Sequence, residues 1–200
     1  MNKREKEIKR YSELNQLAQP GGIVIFGGED DLDIPLCELK QAFDLDVRIY
    51  NRSIGGLSLD SAAEIYDLCV SPLKPDTVLL HIGADDIDMF RTSPPSFEQK
   101  YLSLISHIRY KNPGCRIGIL SLRNYDNNNV TEELNRRLRY ISQSENCEFG
   151  DISDKTVWNP HCTQDIVSFV HSYGYVRPLS GKRPVSNLVN LLFCCEPTGF

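Results

Sequence analysis

Ile23-Val24-Ile25-Phe26-Gly27-Gly28-Glu29-Asp30-Asp31 is an unbroken apolar run, rich in β-branched residues, that stops at two glycines and three carboxylates. A run without polar alternation suits a strand covered on both faces, as in parallel sheets. Upstream, residues 5–18 carry apolar side chains at helical spacing until Pro20-Gly21-Gly22, so residues 1–20 read as an N-terminal helix with its stop. Downstream, helical patterns at about 33–43, 58–70, 96–111 and 130–144 alternate with the apolar runs VRIY (47–50), TVLLHI (77–82), RIGILSL (116–122) and CEFGDI (147–152). The chain closes on a helix-like SNLVNLLF at 186–193. Strands separated by helices predict a parallel sheet with helices on both faces, a three-layer α/β/α sandwich of flavodoxin-like type. No composition break marks a linker, so residues 1–200 are expected to form a single domain. Residues 153–185, with Pro160, Pro178 and Pro184, are the least regular part and are expected to frame the site.

Composition narrows the function classes. A formal charge of −5 argues against a nucleic-acid face, which needs clustered Lys and Arg to meet phosphates. No apolar run reaches membrane-spanning length, and MNKREKEIKRY has no apolar segment behind it, so neither a membrane span nor an export signal is expected. The seven cysteines (Cys37, Cys69, Cys115, Cys147, Cys162, Cys194, Cys195) are odd in number and form no CxxC pair. They read as reduced thiols in a cytoplasmic protein. His161-Cys162 is the sole adjacent His/Cys pair, too little for a zinc site. The basic residues at 2–10 read as a solvated helix face.

In an open parallel sheet, ligands bind beyond the carboxyl ends of the strands. Those ends read Gly27-Gly28-Glu29-Asp30-Asp31, then Asn51-Arg52-Ser53-Ile54-Gly55-Gly56, then Gly83-Ala84-Asp85-Asp86-Ile87-Asp88, then Arg123-Asn124-Tyr125. The late loop adds Thr163-Gln164-Asp165-Ile166-Val167-Ser168 and His171. In this order the blocks resemble the SGNH hydrolases, or GDSL esterase/lipase family, from about residue 10 to 192. The resemblance implies an ester-hydrolase site for acyl-ester or carbohydrate-linked acyl ligands, with no cofactor. It places Gly28 and Glu29 at the Asp and Ser of the Gly-Asp-Ser block, and Gly56 at the backbone oxyanion donor. Asp85 falls at the oxyanion Asn of Gly-x-Asn-Asp; Asp165 and Ser168 fall at the Asp and His of Asp-x-x-His.

These replacements change the chemistry. A carboxylate at 29 cannot form the ordinary acyl ester. An ionised Asp85 is an acceptor where a donor is needed, and loss of one such donor is worth about 3–4 kcal/mol in a related setting. A serine hydroxyl at 168 is no base at neutral pH. Two function readings follow: a binding or scaffold domain inactive in ester hydrolysis, or an esterase using a displaced constellation of Glu29, Asp165 and His171. A third reading has Glu29, Asp30, Asp31, Asp85, Asp86 and Asp88 hold a divalent cation. Against it, Asp30, Asp31 and Asp33 are expected to cap the following helix, and Asp86 to brace its own loop. Trp158, Tyr173 and Tyr175 are expected to pack the late loop. A dinucleotide site is excluded, since GxGxxG is missing after the first strand.

Overall fold

The computed structural model describes residues 2–42, 47–124, 129–153, 155–157 and 193–195. The first helix, α1 (Lys3–Asn15), starts at a capping box in which the Asn2 side chain accepts from the Glu5 N–H and Glu5 returns the bond. It ends five residues before Pro20, shorter than the periodicity suggested. Strand β1 (Ile23–Gly27) is buried along its whole length. There follow α2 (Leu36–Ala42), β2 (Ile49–Asn51), α3 (Leu59–Ile65), β3 (Thr77–His81), α4 (Ile87–Thr92), α5 (Pro94–Lys111), β4 (Arg116–Leu120), α6 (Asn129–Ser144) and β5 (Glu148–Gly150).

The five strands form one parallel sheet in the order β2-β1-β3-β4-β5, the flavodoxin-like order expected from the helix–strand alternation. Val24, Phe26, Val78, Leu80, Ile117 and Ile119 point to one face, where they join Ala62, Phe97, Tyr101, Ile105, Leu134 and Leu138 in the main core. Their neighbours Ile23, Ile25 and Leu79 are fully buried on the opposite face. Burial on both faces explains why these strands read as continuous apolar runs.

Three details depart from the sequence reading. The pattern at 58–70 is an α-helix only to Ile65, continuing as a π-helical turn over Tyr66–Val70 and a 3₁₀ turn at Ser71–Leu73. The short α4 was not anticipated, because Pro94-Pro95 starts α5 immediately after it. Within the supposedly irregular 153–185 stretch, β6 (Lys155–Val157) pairs antiparallel with β7 (Phe193–Cys195). Phe193, expected at the end of a helix, is therefore in a strand; Trp158, Tyr173, Tyr175 and, apart from Ser153, the rest of both segments lie outside the described residues. Among the described residues, no helix is long and apolar enough to cross a membrane, and Cys37, Cys69, Cys115 and Cys147 are free thiols.

Candidate functional site

In this strand order the topological switch lies between β1 and β3, whose last residues Gly27 and His81 stand side by side in register. The chain leaving β1 makes a 3₁₀ turn over Glu29–Asp31, and the chain leaving β3 makes another over Ala84–Asp86. Between them opens a cavity of about 130 Å³ lined by Gly28, Glu29, Asp30, Leu57, His81, Gly83, Ala84 and Asp85. Glu29 and Asp85, assigned by resemblance to the nucleophile and oxyanion positions, thus share one pocket.

The glycines at these turns make the approach possible. A Cβ on Gly27 would overlap an Asp31 carboxylate oxygen, and one on Gly55 would overlap the Glu29 carboxylate. Gly56 has φ +68° at an exposed turn, with open space where a Cβ would stand. It does not line the cavity; its neighbour Leu57 does. Asn51 braces the base of the site: its amide donates to the Asp31 carbonyl at 2.6 Å, while its Oδ1 accepts from the Ser53 N–H at 2.9 Å.

The acidic residues do not converge as a cation cage. Asp30 pairs with Arg123 at 3.0 Å, and Asp31 lies on His81. Asp86 accepts the Leu59 N–H at 3.0 Å, so it caps α3 from across the loop instead of bracing its own turn. Asp88 is 95% exposed beside Arg91. Asp30 and Asp31, expected to cap α2, are thus engaged by Arg123 and His81 instead. No group of three or more His, Cys, Asp or Glu among the described residues is placed to hold a metal ion.

Two cations temper the pocket's charge, and both come from the helix face read as solvated. Lys3 donates to Glu29 Oε1 at 3.4 Å, and Arg4 reaches Ser61 Oγ, close enough to lower the pKa of Asp85. The opposite influences are stronger. Partial burial, then the charges of Glu29 and Asp30, hold the Asp85 carboxyl above the ordinary carboxylate range. A carboxyl raised by folding contributes nothing below its unfolded pKa and destabilises once ionised above its folded one. Asp85→Asn is therefore expected to raise the melting temperature at pH 7, the gain fading as pH falls below about 4. Melting curves at the two pH values check this; a gain at acid pH alone would contradict the sign.

Sequence reasoning missed His81, read there as the interior of a strand. It is 5% exposed, and its Nδ1 lies 2.9 Å from both carboxylate oxygens of the fully buried Asp31. The available signal was a lone histidine as the penultimate residue of an otherwise apolar run ending at the switch point. Asp165, Ser168 and His171 lie outside the described residues.

The family model for the GDSL-like lipase/acylhydrolase family matches residues 36–172. That match begins after the Glu29 turn and includes Asp165, Ser168 and His171. Among solved structures, a GDSL-like lipase from Bacteroides thetaiotaomicron superposes with TM-score 0.60 at 15% identity, over 83% of this chain and 95% of the other. A variant of an acetyl-xylooligosaccharide esterase from Geobacillus gives 0.55 at 16% identity, over 86% and 94%. A lipase/acylhydrolase from Enterococcus faecalis gives 0.55 at 14% identity, over 81% and 100%. At these identities the likeness is one of fold. No curated protein matches. With more than half of its length matched by the family model, and with the sheet order and switch-point pocket described above, the chain belongs to the GDSL-like lipase/acylhydrolase family.

Proposed function

We propose that this chain has left the family's serine route of ester hydrolysis and serves as a cytoplasmic binding or scaffold domain, its switch-point pocket taking a small neutral or cationic group. The observation that carries this reading is the meeting of Glu29 and Asp85 in one cavity. A serine esterase needs a hydroxyl nucleophile and donors aimed at a developing oxyanion. Two carboxylates there supply neither while ionised, and their field opposes negative charge. Acyl-ester-like or carbohydrate ligands suit the family, as the names of the esterases of similar fold indicate. A neutral sugar hydroxyl or an ammonium group suits the acceptors lining this pocket.

A fluorophosphonate probe, which forms a covalent bond with activated serines, tests the claim. Intact-protein mass spectrometry is expected to show no adduct after exposure that fully labels a working serine esterase. Stoichiometric labelling of the native chain, lost on denaturation, would sink the reading.

A further inference from the structure

We propose that α1 is a strap over the rim of the switch-point pocket, clasped to the fold at its carboxyl end, and that its amino-terminal turns come away when an alkylammonium group displaces Lys3 from Glu29. This is a statement about how the pocket opens, and it rests on the binding reading above.

The two ends of α1 are held in different ways. At the carboxyl end, the Tyr11 hydroxyl donates to the Ser53 carbonyl at 3.0 Å, and the Asn15 amide donates to the Cys69 carbonyl at 2.8 Å. Arg52, only 6% exposed, donates to Asn15 Oδ1 through Nε and Nη2 at 3.0 and 2.9 Å. Its guanidinium also lies 5.0 Å from the centre of the Tyr11 ring and 5.4 Å from that of Tyr50. This clasp ties α1 to the loop after β2, where Ser53 Oγ in turn accepts the Gly27 N–H at 3.1 Å.

At the amino end the contacts are fewer and wetter. Lys3 Nζ stands 3.4 Å from Glu29 Oε1 with side-chain exposures of 74% and 66%, and Arg4 reaches Ser61 Oγ on α3. Between the ends, Glu7 keeps Oε2 buried without a hydrogen-bond partner among the described residues, a penalty that release into water removes. No residue of α1 is buried as a whole. A helix of 13 residues is marginal in water without packing, so turns that leave the surface also lose their helical hydrogen bonds. With a firm clasp and a weak tip, α1 opens from its amino end.

The tip also indicates what opens it. Glu29 and Asp85 line the cavity, and Lys3 already offers Glu29 an alkylammonium. A second one that takes Glu29 leaves that end of the strap on Arg4 alone. A neutral group entering the cavity leaves the Lys3–Glu29 pair in place, so the strap selects for cations.

Propylammonium chloride is the probe, with sodium chloride at equal ionic strength as its reference, because salt alone weakens exposed ion pairs. NMR titration gives the affinity, and amide hydrogen exchange in the same samples reports the strap. Saturating propylammonium is expected to speed exchange at least about threefold over residues 6–10 and to leave residues 11–15 unchanged. A Lys3→Ala/Arg4→Ala variant keeps good helix formers in α1. It should exchange fast over residues 6–10 without ligand, and bind propylammonium at least about threefold more tightly than the unaltered chain. Binding without faster exchange would make Lys3 and Arg4 fixed repelling charges, overturning the strap and leaving the binding reading intact. Equal affinity of the two chains overturns it as well. If neither chain binds propylammonium, the pocket takes no cation, and the strap falls with that part of the binding reading. Fluorophosphonate adducts mark failure of the serine-free reading alone.

Discussion

A variant combining Gly28→Asp, Glu29→Ser, Asp85→Asn and Ser168→His is expected to hydrolyse p-nitrophenyl acetate at least about a hundredfold faster than the unaltered chain, since serine-triad residues acting together are worth roughly 10⁶ in turnover. The pocket has room for the first change. Gly28 has φ −94°, open to any residue, and a Cβ there would stand 3.6 Å from an Asp85 oxygen, an ordinary contact. Glu29→Ser lifts a carboxylate off Gly55 and puts a hydroxyl at the end of β1. Asp85→Asn replaces an acceptor, disfavoured by burial and by Glu29, with an amide donor on the same wall. Ser168→His rests on the family alignment and supplies the base. The control keeps all changes but carries Ala at 29. It should fall back toward background, because general-base help without the nucleophile cannot form an acyl-enzyme. Full silence in a well-folded quadruple variant would place the family blocks elsewhere in this chain.

Gly27→Ala is expected to destabilise the fold by about 3–5 kcal/mol, combining overpacking at a buried turn with a buried carboxyl group left without its hydrogen-bond partner. The new methyl would overlap an Asp31 carboxylate oxygen and stand 3.0 Å from the His81 carbonyl, which belongs to the neighbouring strand and cannot retreat without opening the ladder. Asp31 must therefore leave His81, and a carboxylate at zero exposure finds no water nearby. Gly28→Ala, one residue on, meets only the 3.6 Å contact and should change stability by no more than about 0.5 kcal/mol. Urea denaturation of the two variants checks the contrast. Equal midpoints would mean that the Gly27 backbone yields, and that the Asp31–His81 pair is not held as tightly as its distances indicate.

The elements were legible where one physical signal dominated. Ile23–Phe26 and Val78–Leu80 could be placed because double-sided burial removes every polar residue from a strand. The π-helical turn at Tyr66–Val70 was not legible, since over a single turn the apolar spacing of α and π geometry is nearly the same. Within the site, Glu29 and Asp85 were found by their place after strands. His81 was passed over because a strand residue's depth and facing depend on the neighbouring chain.

The carboxylates show the same division most sharply. The sequence by itself determined that six acidic residues would follow the first and third strands, and that serine and asparagine positions of the family were replaced. Only the tertiary structure decided their separate fates. Asp30 went to Arg123, Asp31 to His81, Asp86 to the start of α3 and Asp88 to solvent, leaving Glu29, beside Lys3, and Asp85 to line the pocket. The reason is that a carboxylate's role is set by which donor lies within about 3 Å of it. Here the decisive donors come from residues 27 to 93 positions away along the chain, brought close by the crossing of parallel strands.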